Sequence, residues 1–297
     1  MDYDVIIIGG SYAGLSAGLQ LARARRRILV IDAGERRNRF AATSHGFLGQ
    51  DGRDPAQIAA DGRDQLLRYP TVEWQNGRAQ SARRIEGGFA VDTGAGDIRT
   101  TRRIILATGV VDRLPDVPGL AERWGKSIFT CPYCHGYELN QGRIGVLARS
   151  AMSLHHAIML PDWGTTTFFT NGAFEPDAEQ RAQLQARGVT IEAVRVAEIT
   201  GAKADILLQD GRLVACDGLF TMTETYIDGP WAQQLECALD DGPFGPFIRV
   251  DESQETTQKG VFACGDAARA MASVAMAVAA GAMAGVGAHR SLIFEPR

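Results

Sequence analysis

The sequence has no excess of basic residues. Lys and Arg number 31 against 35 Asp and Glu, a formal net charge of −4 over 297 residues. That balance excludes a nucleic-acid footprint and a polybasic membrane patch, and points to a small-molecule or protein partner. Cysteine is scarce and odd in number, with five in the chain. A structural disulfide framework belongs to shorter, cysteine-denser chains, so these thiols read as a cytoplasmic set. No repeat of short fixed period is visible. The start, Met1-Asp2-Tyr3-Asp4, lacks the positive region of a secretory signal. One uncharged run, 271–288, is long enough to cross a membrane. It is mostly Ala and Gly with three Met and no Leu, Ile or Phe. That composition inserts poorly and predicts a buried, tightly packed helix, with no membrane partner.

What is present is a large apolar fraction, 45%, and 34 glycines. This is enough for one large core or two medium ones and excludes a disordered chain. Residues 5–8 form a short apolar run ending in Gly9-Gly10. A small-residue helix follows from about Ala13, and a second buried strand, 28–31, ends at Asp32. The pattern is the β-turn-α-β start of a parallel sheet. A long Gly- and Arg-rich loop (33–53), a helix (55–68) and strands at 72–74, 89–92 and 98–106 come next. A second βαβ begins at 144–147, with a helix over 151–160, a strand at 165–170 and a helix over 177–187. The stretch 189–214 reads as a meander of short strands. A last strand at 261–263 leads into a long helix over 266–290. Gly/Pro loops at 108–118 and 240–246 mark the expected domain crossings. The expected organisation is 1–112, an inserted 113–242, and 243–297.

The loop Gly9-Gly10-Ser11-Tyr12-Ala13-Gly14 lies between a strand and a helix, with Asp32 at the end of the next strand. Gly9 permits the tight turn, Gly14 close helix–strand packing, and Asp32 a bond to a ribose hydroxyl. The helix N-terminus faces a pyrophosphate. Ser11 replaces the usual middle glycine, weakening the fingerprint. Two later segments favour FAD over NAD: Thr108-Gly109 at the end of a strand, and Gly265-Asp266 opening the last helix. There the Asp266 carboxylate is stabilised by the helix dipole and can accept from a ribityl hydroxyl. Its alternative is an ordinary helix cap. His45, in the long loop after the first βαβ, is a flavin-pocket candidate.

Cys131-Pro132-Tyr133-Cys134-His135 carries the sharpest chemistry. Two thiols three apart at a helix start can close a disulfide within one turn, and the helix dipole stabilises the thiolate. His135 stands ready to hold or move a proton near neutral pH. Half of a zinc site is the alternative, but no second C-x-x-C or H-x3-H supplies the other ligands, so no metal is expected. Cys264, in an apolar strand, reads as core. His155 and His156 read as a solvated helix face. The small residues Ala275, Ala279, Ala282 and Gly285 of the last helix form either a dimer contact or an intramolecular packing face.

These motifs, in this order, resemble the low-molecular-weight thioredoxin reductases over essentially the whole chain. The resemblance implies an α/β fold of two Rossmann-like (three-layer ββα) nucleotide-binding domains, the FAD domain split around an inserted degenerate NAD(P)-type domain. It also implies a homodimer, with Cys134 facing the flavin and Cys131 exchanging with a small-molecule dithiol or thioredoxin-like protein substrate. The stretch Cys131–Glu138 is similar to the gliotoxin- and holomycin-type FAD-dependent dithiol oxidases, with His135 where thioredoxin reductases usually carry Asp. The second nucleotide loop, Ala148-Arg149-Ser150-Ala151-Met152-Ser153, keeps no glycine, and the strand after it ends in Phe169-Thr170-Asn171-Gly172 without a basic cluster. NADPH binding is therefore not expected. The expectation is FAD-dependent dithiol oxidation with oxygen as acceptor. Its rivals are a reductase driven by NAD(P)H or ferredoxin, and a redox-sensing flavoprotein without turnover.

Overall fold

Tyr3–Ile8 forms β1, and its side chains at Val5, Ile6 and Ile7 are wholly buried. A strand buried on both faces belongs at the centre of a parallel sheet. The computed structural model describes residues 1–94 and 96–294. It divides into two units. The first comprises Met1–Arg39, Asp54–Val111 and Thr225–Arg297; the second comprises Phe40–Arg53 and Asp112–Glu224.

In the first unit β1 is followed by α1 (Tyr12–Arg23), β2 (Ile28–Asp32), α2 (Pro55–Leu67), β3 (Val72–Asn76), β4 (Ser81–Ile85), β5 (Gly88–Asp92) and β6 (Ile98–Leu106). The sheet order is β3-β2-β1-β6-β5-β4. β6 does double duty. Its first half pairs antiparallel with β5, and Ile104–Leu106 pair parallel with β1 and with the last strand of the chain. Pro55 opens α2 behind Asp54, whose side chain accepts from the Ala56 N–H at 2.6 Å.

Two short strands, β7 (Val110–Arg113) and β16 (Glu224–Ile227), lie where the chain passes between units. The second unit holds β8 (Ile128–Phe129), α3 (Pro132–His135), β9 (Gln141–Leu147), α4 (Ser153–Met159), β10 (Gly164–Phe169), α5 (Ala178–Ala186), β11 (Thr190–Glu192), β12 (Val196–Thr200), β13 (Asp205–Leu208), β14 (Leu213–Val214) and β15 (Gly218–Thr221). Its parallel sheet runs β11-β10-β9-β15-β8, and β12-β13-β14 form a separate meander. Helices cover one face, with Ala157, Leu160 and Leu184 buried. The meander covers the other, with Ile199, Ile206 and Leu208 buried. Asp177 and Gln180 build a reciprocal capping box on α5.

The first unit closes with α6 (Trp231–Gln234), the hairpin β17–β18 (Leu239–Gly242, Gly245–Ile248), β19 (Val261–Ala263) and α7 (Val274–Phe294). α7 is long and apolar enough to cross a membrane by composition, but half of its apolar stretch is buried. It packs on α1 at backbone distance. A Cβ on Gly281 would strike the Ala13 carbonyl, and one on Gly285 the Ala17 carbonyl. Gly285 therefore serves intramolecular packing, while Ala275 and Ala279 are exposed.

Four expectations are corrected. The return crossing lies at Glu224/Thr225, not at 242/243, and 40–53 groups with the second unit, not with 1–112. The Asp240–Pro246 turn is the tip of the β17–β18 hairpin; a hairpin turn and a domain crossing have the same composition. The last helix does not run unbroken from Asp266. Gly265–Ala268 is one 3-10 turn, and α7 starts afresh where the Ser273 Oγ accepts from the Met276 N–H at 3.2 Å. His156 is buried, so only His155 fits the solvated face.

Candidate active site

The loop after β1 is shaped by glycines that tolerate no side chain. Gly9 has φ +103°, and a Cβ there would meet the Ala107 carbonyl. A Cβ on Gly10 would run into Trp74, and one on Gly14 into the Gly9 carbonyl. Asp32 accepts from the Gly10 N–H at 3.0 Å, which pins the loop to the end of β2. Ser11 is the N-cap of α1, yet its hydroxyl makes no capping bond. Gly9, Gly10, Ser11, Asp32 and Thr108 line one cleft. Ala13 and Gly14 lie behind it, in the packing of α1. Gly109 (φ +68°) and Gly265 (φ +72°) take the left-handed turns their strand ends require.

The cleft presents buried polar atoms with no protein partner: the Thr108 hydroxyl, the Trp231 indole N–H and Arg36 Nε. Such groups cost about 1–3 kcal/mol each when left unbonded. A polar ligand there recovers that loss. Across the rim, Arg78 donates to both carboxylate oxygens of Asp228 at 2.9 and 3.0 Å and to Glu35 at 3.2 Å. Asp266 is paired with Arg37 at 2.9 Å.

In the second unit, Cys131 takes the extended N-cap position and Pro132 the first helical position of α3. Cys131 and Cys134 are joined as a disulfide, their Cα atoms 5.3 Å apart. His135 stacks on Phe129, with ring centroids 4.3 Å apart and planes at 19°. Burial, with a smaller contribution from His45, pushes its pKa down to about 4. At neutral pH the ring is uncharged. His45 lies in this unit too, with Nε2 3.4 Å from Glu138 Oε1 and Nδ1 3.6 Å from Asp51 Oδ1. Tyr133 and Tyr137 project to solvent on either side of Cys134. Cys216, Cys237 and Cys264 are free and buried. Burial pushes the Cys264 thiol up to about 12, so it is inert at neutral pH. Among the described residues no group of His, Cys, Asp and Glu is arranged to hold a metal.

The loop after β9 is closed on itself. The Arg149 N–H donates to Ser153 Oγ at 3.0 Å and the Met152 N–H to Ser150 Oγ at 3.3 Å. The Ser153 and Leu154 N–H groups donate to the Ser150 and Ala151 carbonyls. The Arg149 guanidinium turns to Glu224 at 3.3 Å. One guanidinium, that of Arg195, stands beside Gly172 at the end of β10.

The profile of the pyridine nucleotide-disulphide oxidoreductase family matches residues 3–281. The chain belongs to this family. It is 33% identical to "Thioredoxin reductase tcpT" of Claviceps purpurea, over 98% of this chain and 95% of that protein. It is 32% identical to "Thioredoxin reductase sirT" of Leptosphaeria maculans, over 97% and 93%. Among solved structures, an oxidoreductase from Agrobacterium tumefaciens superposes with a TM-score of 0.96 at 58% identity, each chain covered to 99%. HlmI superposes with a TM-score of 0.91 at 33% identity, covering 98% of this chain and 93% of that one.

As a pyridine nucleotide-disulphide oxidoreductase of the thioredoxin reductase-like kind, the protein is an FAD-dependent disulfide oxidoreductase. The residues present fit that cofactor: glycines keep the loop clear of side chains, the Asp32 carboxylate lines the cleft, and the orphaned Thr108 and Trp231 groups offer hydrogen-bonding capacity to a polar ligand. Sequence reasoning missed Arg36, Arg78, Asp228 and Trp231 at this oxidoreductase's cleft. Arg78 and Asp228 are 150 residues apart, and no local pattern pairs them. The Gly229-Pro230-Trp231 turn was the one available signal for the last.

Proposed function

We propose that the protein oxidises a small dithiol to a disulfide through Cys131–Cys134, independently of NADPH. The observation that carries this reading is the self-capped loop after β9. The N–H groups of Arg149, Met152, Ser153 and Leu154 and the Arg149 guanidinium are bonded within the protein, where an NADPH pyrophosphate would need such groups free. The CPYCH pair and the relatedness to fungal proteins named thioredoxin reductases support disulfide exchange at Cys131–Cys134.

In the proposed cycle a substrate thiolate attacks Cys131, the pair's S–S bond breaks, and Cys134 leaves as a thiolate. The second substrate thiol then attacks the mixed disulfide and releases Cys131, giving a substrate disulfide. FAD, when bound, supplies the two-electron acceptor that restores the pair, and oxygen is the proposed final acceptor. Cys134 faces that acceptor, and His135 passes the thiol proton. Gly9, Gly10, Ser11, Ala13, Gly14, Asp32, Thr108, Gly109, Gly265 and Asp266 hold the FAD. The protein acts in the cytoplasm as a homodimer; the exposed Met276, Met283 and Val286 edge of α7 supplies apolar contact area.

The test is anaerobic, on the flavin absorbance of the purified protein. Dithiothreitol bleaches it and air restores it; NADPH leaves it unchanged. Bleaching by NADPH overturns the reading in favour of a reductase. A Cys134→Ser variant that kept full dithiol turnover would overturn the cycle.

A further inference from the structure

The segment 40–53 interrupts the first unit in sequence but folds with the second. An antiparallel bridge between Ser44 and Arg53 ties its ends, and the Gly46 N–H donates to Asp51 Oδ1 at 2.8 Å. The loop is thereby fixed around His45, whose side chain is 17% exposed. His45 Nε2 lies 3.1 Å from Thr43 Oγ1 and 3.4 Å from Glu138 Oε1; Nδ1 lies 3.6 Å from Asp51 Oδ1. Glu138 belongs to the single 3-10 turn, Tyr137–Leu139, that directly follows the cysteine helix. The titratable groups around His45 are therefore Asp51 from its own loop, and Glu138 and His135 from the segment after the cysteines.

The two imidazoles differ in what surrounds them. His135 is stacked on Phe129 and, among the described residues, no carboxylate pairs with it. A ring so desolvated passes a proton but does not keep one. His45 stands between two carboxylates, Glu138 and Asp51. We propose that His45, seated between Glu138 and Asp51, is the proton-accepting partner of His135 during thiol exchange at Cys131–Cys134. The inference rests on the dithiol oxidation proposed above. The substrate thiol gives its sulfur to Cys131 and its proton, through His135, to His45. The S–S bond of the pair breaks, and Cys134 takes the electron pair as a thiolate. Attack by the second substrate thiol forms the substrate disulfide and frees Cys131 as a thiolate; that second proton leaves to solvent. The two electrons held by the pair then pass to the flavin.

The test is anaerobic stopped-flow reduction of the FAD-loaded protein by dithiothreitol, from about pH 5.5 to 9, across the imidazole range. It compares wild type, His45→Gln and Glu138→Gln. The rise due to ionisation of dithiothreitol itself is common to all three. In wild type the rate falls on the acid side, where an imidazole acceptor is lost. His45→Gln slows reduction at pH 7 by roughly 10²-fold, loses the acid limb, and recovers rate on adding free imidazole. Glu138→Gln, which removes a carboxylate seated 3.4 Å from the ring, alters the limb without abolishing it. Flavin content and thermal midpoint identify any variant that has merely misfolded. An acid limb retained in His45→Gln, or a slowed rate without imidazole rescue, overturns the proposal. Wild-type flavin that dithiothreitol does not reduce refutes the dithiol-oxidase reading itself, and this inference falls with it.

Discussion

The two strand–loop–helix corners of the molecule begin alike and end differently. After β1, three glycines let the chain turn without side chains, and the Ser11 hydroxyl caps nothing. After β9, serines stand in the turn and bond the loop's own N–H groups. The parallel strands beneath are equally buried, Ile6 and Ile7 in one and Ile144 and Val146 in the other. The difference therefore lies in the loops: three glycines keep the first clear of side chains, while the second bonds its own N–H groups. Under the function proposed above, a few hydroxyl groups separate an open nucleotide corner from a closed one.

The largest effect is expected from breaking the first corner. Gly14→Val places a side chain against the Gly9 carbonyl. It should cost at least ~3 kcal/mol locally, and flavin absorbance per purified chain should fall more than about tenfold. Unchanged flavin content would mean that the corner does not hold FAD.

The helices behind the two corners sharpen the contrast. α1 turns only small and apolar residues inward, whereas α4 turns His156 inward, edge-on to Phe220, with Nδ1 unbonded. Burial lowers its pKa from 6.5 to about 4. The neutral form is the folded one, so its contribution to stability is full above pH 6.5 and is lost as pH falls towards 4. At pH 5 that loss is about 2 kcal/mol. His135 adds a loss of the same sign. In urea unfolding, His156→Leu should narrow the gap between pH 7 and pH 5 by about that amount. An unchanged gap would mean that His156 is solvated in solution.

The smallest effect belongs to the second corner. Ser153→Ala removes the acceptor for the Arg149 N–H. It should cost about 1 kcal/mol, read as a lower urea midpoint at unchanged slope. NADPH binding should not appear, since Arg149 remains turned to Glu224. Flavin reduction by NADPH in this variant would show that the cap alone had blocked the site.

The parallel strands were legible because period and length carry them: Ile28–Asp32 and Val261–Ala263 run as their apolar runs do. The α5 helix was legible because Asp177 and Gln180 form a local cap. The glycine loop and the cysteine pair were legible because their chemistry is written within six residues. What escaped was non-local. The Arg78–Asp228 clasp, the burial of His156 and the seat of His45 each depend on which elements become neighbours, and spacing along the chain does not encode that. The Asp240–Pro246 turn misled because glycine and proline mark any reversal, whatever lies on either side.

The seat of the 40–53 loop bears on modularity. Phe40 and Ala41 lie over Gly125, where any Cβ would displace them, and His45 meets Glu138. The cysteine-bearing unit is thus assembled from two stretches of chain, with a piece of the first unit's sequence between them. Excising 112–224 as a cassette would yield the disulfide and His135 without His45. A chimera that exchanges this unit between relatives must carry both stretches, or it will pair one protein's thiols with another protein's proton chemistry.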